Sequence, residues 1–365
     1  MKRVVLLVAA LFVSSGLAQT PIGCRDNNGN PVDWFVFYKL PHLYNHPDNK
    51  QISNGSAFMY LDVNNKAWKL MEMGLDAPNQ ALYHTLQQYY TMDQTSTFSI
   101  MYNDEWPNST IWSNDSGHCK GVSVFNQSGG FWLMHSIPKY PSNVTYDFPP
   151  NAHYYGQMGI CVSFPLATLG DIATQLFFYR PFTYQINLPD TFANTFPMLV
   201  RVKNGEYQQT QPYTSLKLLR SVGGSSFQHF AKAGAFGKDL YYDFVAPTLR
   251  TSLKVQSWQH GNASSNLFSW CNVGDTQDVL NAEDIALPFN VNFTNYDDHS
   301  KFAVAFSPSY NANPPPYVCI GDINRQVHQM ARGGGTMCLG DYSLHYMYST
   351  VISRTYACDG THSRK

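Results

Sequence analysis

Two His-x-Lys triplets, His118-Cys119-Lys120 and His299-Ser300-Lys301, lie nearly half a chain apart in this 365-residue sequence. Each runs into residues that suit a β-strand: Val122 and Val124 after the first, Phe302, Val304 and Phe306 after the second. Extended backbone alternates faces with period two, so within each triplet the imidazole and the ammonium project to one side. That pairing suits a phosphodiester, because lysine neutralises phosphate oxygens while histidine attacks phosphorus or moves a proton. With 12 His and 14 Lys in the chain, about half of one such triplet is expected by chance. One triplet would therefore say little. Two, in matching strand contexts and one per half, point to a single shared site.

Positioning those groups falls to short strands and helices. Trp34-Phe35-Val36-Phe37-Tyr38, Phe131-Trp132-Leu133-Met134, Gly159 to Phe164 and Leu253 to Trp258 read as strands, being short and apolar or alternating. Ala81 to Tyr90, Leu166 to Phe178 and Ser226 to Ala235 carry helix-like spacing. Strands and helices mixed in both halves predict an α/β or mixed α+β layered fold. Around Tyr184 to Pro197, proline and asparagine punctuate a stretch without strong period, which makes it the expected join between halves.

The chain opens Met1-Lys2-Arg3, runs apolar from Val4 to Val13, then reads Ser-Ser-Gly-Leu-Ala before Gln19. A charged start, a short apolar core and small residues are the pattern of a signal peptide, here 1–18, that directs a chain to the secretory route. The apolar run is too short to span a bilayer, and nothing later approaches the ~18 apolar residues a membrane helix needs. Seven cysteines in an oxidising compartment imply three bridges and one free thiol. They show no CxxC pair, so a structural zinc site is not expected. Seven Asn-x-Ser/Thr sequons, at Asn54, Asn108, Asn114, Asn126, Asn143, Asn262 and Asn292, favour a glycosylated protein. Without Lys2 and Arg3 the chain carries 22 basic and 25 acidic residues, so it binds polyanions poorly at pH 7. Protonating all 12 His would bring the balance to +9, turning the same chain cationic in an acidic lumen.

Further blocks surround the triplets: Cys24-Arg25, Pro31-Val32-Asp33-Trp34-Phe35, Tyr38-Lys39-Leu40-Pro41, Gly117 to Gly121, Gly129-Gly130-Phe131-Trp132-Leu133 and His135-Ser136. Cys161 to Pro165, Asp298-His299-Ser300-Lys301, Gly321 to Arg325 and Arg332-Gly333-Gly334-Gly335 complete the series. In content and order these blocks resemble the deoxyribonuclease II family, the acid endonucleases of lysosomes. The resemblance implies a phospholipase D-like pseudo-dimer, with two similar halves (19–185 and 186–365), each a β-sheet flanked by helices and each donating one His-x-Lys. It also implies DNA cleavage without metal, leaving 3′-phosphate and 5′-hydroxyl ends, and the disulfides Cys24–Cys161, Cys271–Cys358 and Cys319–Cys338. Sequence alone allows 15 pairings of six cysteines. Cys119 is left as the free thiol, pointing away from His118 and Lys120 as a buried packing residue.

The wider phospholipase D pattern places an Asp five residues beyond each Lys and an Asn fifteen beyond. Here the Asp positions hold Phe125 and Phe306, and His135 stands at the first Asn position. In the second half Gly321-Asp322-Ile323-Asn324 resembles the block that carries the Asn, so His135 and Asn324 are expected as paired phosphate contacts. Asp297 shares the face of His299 on an ideal strand, while Asp298 belongs to the family block. Either could orient the imidazole or be a solvated turn acid. Arg332 with Gly333, Gly334 and Gly335 either presents backbone N–H groups to phosphates or forms a plain glycine turn.

In-line displacement at phosphorus needs a nucleophile on one side and an acid behind the leaving oxygen. His299 is assigned the nucleophile and His118 the acid, the reverse being chemically equivalent; Lys120 and Lys301 stabilise the phosphate oxygens. No cofactor or catalytic metal is expected. Two coupled imidazoles that share one proton place the optimum at about pH 5. The substrate is expected to be DNA and the protein a monomer or homodimer, lysosomal or secreted. The competing readings are an inactive secreted relative that binds nucleic acid without cutting it, and a phosphodiesterase acting on lipids.

Overall fold

Trp34-Phe35-Val36-Phe37-Tyr38 is apolar at every position because β1 (Trp34–Lys39) is covered on both faces. Trp34, Val36 and Tyr38 enter one core, and Phe35 and Phe37 another. The computed structural model describes residues 21–46, 48–260, 263–271, 277–306 and 315–358. The expected leader and the Asn262 sequon lie outside those residues.

The first sheet adds β2 (Phe58–Asp62), β3 (Lys69–Leu70), β4 (Phe98–Tyr102), β5 (Gly121–Asn126), β6 (Gly129–His135), β7 (Gln157–Phe164) and β8 (Thr183–Asn187). Their order in space is β3-β2-β1-β7-β6-β5-β4-β8. The second sheet uses β9 (Thr214–Arg220), β10 (Ser226–Lys232), β11 (Leu253–Gln256), β12 (Val279–Leu287), β13 (Val291–Thr294), β14 (Phe302–Ala305), β15 (Tyr317–Gly321), β16 (Gly334–Gly340) and β17 (Ile352–Thr355). Its order is β13-β12-β11-β14-β15-β16-β10-β9, with β17 paired to β12.

Read from β4, the run β4-β5-β6-β7-β1-β2 has its counterpart in β11-β14-β15-β16-β10-β9. This is a mixed α+β architecture of two similar sheets, consistent with a two-half phospholipase D-like fold. The copies are not identical: β4 and β8 run antiparallel, whereas β11 and β12 run parallel.

The helices before the crossing are α1 (Lys50–Asn54), α2 (Ala81–Tyr90) and α3 (Leu169–Tyr179), and the crossing itself carries α4 (Asp190–Thr195) and α5 (Pro197–Lys203). The second half has α6 (Ala246–Leu249) and α7 (Tyr342–Tyr348). Side chains of both sheets meet in one middle core together with α3 and α7, and each sheet has a second core on its outer face. The halves therefore share apolar burial, the dominant stabilising term in folding.

The helix expected over Ser226 to Ala235 is instead strand β10, paired on both sides by β9 and β16. Phe227 and Ala231 face the middle core and Phe230 the outer one, an alternation that the coincidental 3–4 spacing masks. The stretch from Tyr184 to Pro197, read as unpatterned, folds as β8 and α4. β8 spans the expected boundary at 185/186 and pairs with β4; the chain then crosses to the second sheet through 188–213.

Disulfides join Cys24–Cys161, Cys271–Cys358 and Cys319–Cys338, and Cys119 is free and buried in the middle core. Five sequon asparagines, Asn54, Asn108, Asn114, Asn143 and Asn292, are exposed. Asn126 is not: only 2% of it is accessible and its Oδ1 accepts from the Ser128 N–H, so β5 hides the nitrogen that would carry a glycan. Among the described residues no helix is long and apolar enough to cross a membrane.

Candidate active site

Both triplets stop just short of their strands, in the segments leading into β5 and β14. Each histidine is anchored by the opposite half. The His118 N–H donates to the Gly333 carbonyl (2.9 Å), just ahead of β16, and the His299 N–H donates to the Gly156 carbonyl (2.8 Å), just ahead of β7. The rings cross over in the same way. His118 Nδ1 lies 2.9 Å from the Asp322 carbonyl. His299 Nδ1 lies 3.2 Å from the Ser136 carbonyl and 3.3 Å from Gln157 Oε1. The Lys120 carbonyl accepts from the His135 N–H (3.2 Å), and the Lys301 carbonyl accepts from the Gly321 N–H (2.9 Å). These residues close β6 and β15, which are counterparts.

The loops that offer Gly156 and Gly333 are pinned by a second pair of counterparts. Lys39, last in β1, donates to the carbonyls of His153 (2.8 Å) and Tyr155 (2.6 Å). Lys232, last in β10, donates to the carbonyls of Gln329 (3.2 Å), Met330 (2.9 Å) and Arg332 (2.6 Å). Both lysines are buried, and burial drives their pKa values down, Lys232 to about 7. The two glycines are required by close approach: a Cβ would lie 2.5 Å from Asp298 Oδ1 at Gly156 and 2.2 Å from the Tyr179 carbonyl at Gly333.

Charge is distributed unevenly. Asp104, just beyond β4, pairs through Oδ1 with Lys120. Its Oδ2 stands 3.5 Å from His118 Nε2 and 3.3 Å from the Arg332 guanidinium. Burial alone would raise the Asp104 carboxyl, but Lys120 and then Arg332 hold it below its ordinary value. His118 is pushed well below the usual imidazole range by burial, then by Lys120, Arg332 and Lys301. His299 is likewise lowered by burial, then by Lys301, Lys120 and His118, so the two triplets share one electrostatic neighbourhood. Lys301, fully buried, donates to the His299 carbonyl (2.6 Å) with Nζ 3.0 Å from His299 Nδ1; burial and then Lys120 depress its pKa. Behind His118, burial pushes the Asp322 carboxyl up to about 7; its Oδ1 accepts from the Gly335 N–H (2.8 Å), and its Oδ2 has no partner.

The structure thus brings His118, Lys120, His299 and Lys301 together. His135 is fully buried, with Nδ1 accepting from the Ile137 N–H (3.2 Å) and Nε2 unpartnered; burial and then Lys120 lower it to about 3. Asn324 is buried with an unpartnered Oδ1. Asp297 does not reach the site, since its carboxylate caps a turn by accepting from the Thr294 N–H and hydroxyl. Asp298 turns inward instead. It accepts from the Tyr38 hydroxyl (2.5 Å) and from the Ser300 N–H and hydroxyl, so it fixes the triplet backbone rather than the imidazole.

Arg332 and the glycines after it do not form an open phosphate nest. The guanidinium donates to the carbonyls of Ser113, Ser116 and Gly117, and Gly334 and Gly335 are already paired in β16. Sequence reading missed Asp104, Gln157 and the backbone role of Asp322. None sits at a fixed spacing from a triplet; only the Asn103-Asp104-Glu105 run ending an apolar strand hinted at a carboxylate there. Among the described residues no group of His, Cys, Asp and Glu forms a set that could hold a metal ion.

A family model described as Deoxyribonuclease II matches residues 23–358. Cell death-related nuclease 6 of Caenorhabditis elegans is 56% identical over 358 residues, covering 98% of this chain and 94% of its own. Deoxyribonuclease-2 of the same nematode is 37% identical (94% and 96% covered), and Deoxyribonuclease-2-alpha of Sus scrofa is 37% identical (97% and 94% covered).

Proposed function

This chain belongs to the deoxyribonuclease II family, and from that premise we propose that it is an acid endonuclease that hydrolyses DNA through a phosphohistidine, without a metal. It is a deoxyribonuclease-type hydrolase. The observation that carries the finer reading is the crossed anchoring of His118 and His299 around shared lysines. Such a site presents two imidazoles and two ammonium groups to one phosphate.

The roles follow from the partners. A carbonyl only accepts, so the Asp322 contact keeps a proton on His118 Nδ1 and leaves Nε2 to carry the mobile proton beside Asp104. The Ser136 carbonyl and Gln157 Oε1 likewise ask for a proton on His299 Nδ1, which leaves Nε2 as a bare lone pair. That tautomer requires Lys301, whose Nζ lies 3.0 Å from the same nitrogen, to turn its ammonium from the ring to the phosphate.

His299 Nε2 attacks phosphorus, the P–O5′ bond breaks, and the His118 imidazolium gives its proton to the leaving 5′-oxygen. His118 then takes a proton from water, the oxygen attacks phosphorus, and the P–N bond breaks to release a 3′-phosphate. Lys120 and Lys301 hold the non-bridging oxygens throughout. Acid is needed because burial and neighbouring cations oppose protonation of either imidazole, an opposition that the bound phosphate anion offsets.

One chain supplies both triplets, so a monomer suffices. Three disulfides suit the lysosomal lumen or the outside of the cell. Plasmid nicking at acidic and neutral pH in EDTA, with end analysis, tests the reading. The expected result is acid-dependent nicking that leaves 3′-phosphate ends. Activity stopped by chelation and restored by magnesium, or 5′-phosphate products, would overturn the mechanism.

A further inference from the structure

The C-terminal histidine is bordered by rings. Trp258 meets His299 edge-on, with centroids 4.9 Å apart and planes at 63°. Trp258 also stacks on His260 at 4.5 Å and 9°, Tyr155 closes on Trp258 at 4.6 Å, and Tyr296 stands 5.6 Å from His260. They come from separate segments: beyond β11, the loop before β7, and the turn before the second triplet. Packing alone does not explain their exposure. His260 is exposed, Tyr296 is 50% accessible, and Trp258 and Tyr155 are half-buried. His118, by contrast, is met by a carbonyl and a carboxylate.

We infer that Tyr155, Trp258, His260 and Tyr296 form a stacking subsite for the nucleobase of a residue adjoining the scissile phosphate. The inference rests on the nuclease reading above, and the occupant follows from position. A phosphate held between the histidines and lysines has a base a few ångströms away, and every base offers a π-face to an aromatic surface whatever its sequence. An adjoining base reaches the ledge only by leaving the duplex stack, so the subsite favours single-stranded or locally opened DNA.

The test compares a single-stranded oligonucleotide with an abasic deoxyribose-phosphate polymer of equal length. Wild-type protein is expected to prefer the base-bearing substrate by about tenfold in kcat/KM, through KM. Trp258→Ala and, separately, Tyr296→Ala should erode that preference, and Trp258→Phe should retain part of it. Equal losses on both substrates would show that the rings only support His299 and would overturn the subsite. So would an unchanged preference in both alanine variants. Binding of the two polymers to His118→Ala, with and without Trp258→Ala, reads the same preference without turnover. If wild-type protein bound but cut neither polymer, the nuclease reading would fail while this binding arm still judged the ledge.

Discussion

Beyond the lysines that act on both imidazoles, the N-terminal triplet adds a carboxylate and a guanidinium, while the C-terminal triplet adds neutral oxygens and rings. Asp104 and Arg332 flank His118; Ser136, Gln157 and Trp258 flank His299. The backbone frames around them are counterparts down to the donor–acceptor pairs from Gly156 and Gly333. Two similar scaffolds thus fix where the imidazoles stand, and in the proposed mechanism the side chains around them decide which one carries the proton. Two titrating groups whose surroundings differ in this way are the usual signature of an acid paired with a nucleophile.

The sharpest way to break the comparison is to delete each imidazole. His299→Ala and His118→Ala should each cost at least about 10³-fold in kcat. Only His118→Ala should be rescued in part by a substrate with a good 5′ leaving group, which needs no acid. Equal rescue of both variants would erase the distinction.

Asp104→Asn comes next, with an expected loss of roughly 10²-fold. Without the carboxylate His118 is harder to protonate, so the optimum of kcat/KM moves to lower pH; a profile that stays in place would separate Asp104 from the acid. Gln157→Glu runs the experiment in reverse by giving His299 a carboxylate. It should cost about tenfold in rate and carry the profile toward neutral pH.

Asp322→Asn probes stability. The folded carboxyl is raised to about 7, so the folded state holds a proton that the unfolded chain releases near 4. The associated stabilisation is full below pH 4 and lost as pH rises through 7, and amounts to roughly 2–4 kcal/mol. The amide variant should flatten the decline of Tm between pH 4 and pH 8. The smallest effect belongs to Cys119→Ser, which should leave activity within a few-fold because the thiol faces the middle core. A loss matching His118→Ala would mean that the thiol faces the site after all.

The four residues proposed for catalysis stood out because a repeated His-x-Lys is a local pattern, readable from three residues, although both triplets lie just ahead of β5 and β14 rather than in strands. Strands such as β1 and β7 declared themselves through apolar runs. What stayed hidden depends on contacts between the halves. Asp104 lies far from Arg332 in the chain, and the Asp322 contact with His118 runs through a carbonyl, which no side-chain identity announces. Strand β10 was misread because Phe227, Phe230 and Ala231 satisfy two periodicities, and only pairing with β9 and β16 chooses between them. Asp297 was drawn toward His299 by an ideal strand that is in fact interrupted by a capped turn.

The crossed anchors make this enzyme a coincidence detector. Neither half can complete its own imidazole: each borrows a Gly carbonyl for the backbone and an oxygen for the ring from its neighbour. If these imidazoles do the cutting as proposed, activity should arise only once both sheets have folded and docked. A chain nicked within 204–213, where the residues are largely exposed, should regain activity only when its two fragments reassociate. For a protein that degrades DNA, such an ordering would keep partly folded copies harmless to the cell that makes them.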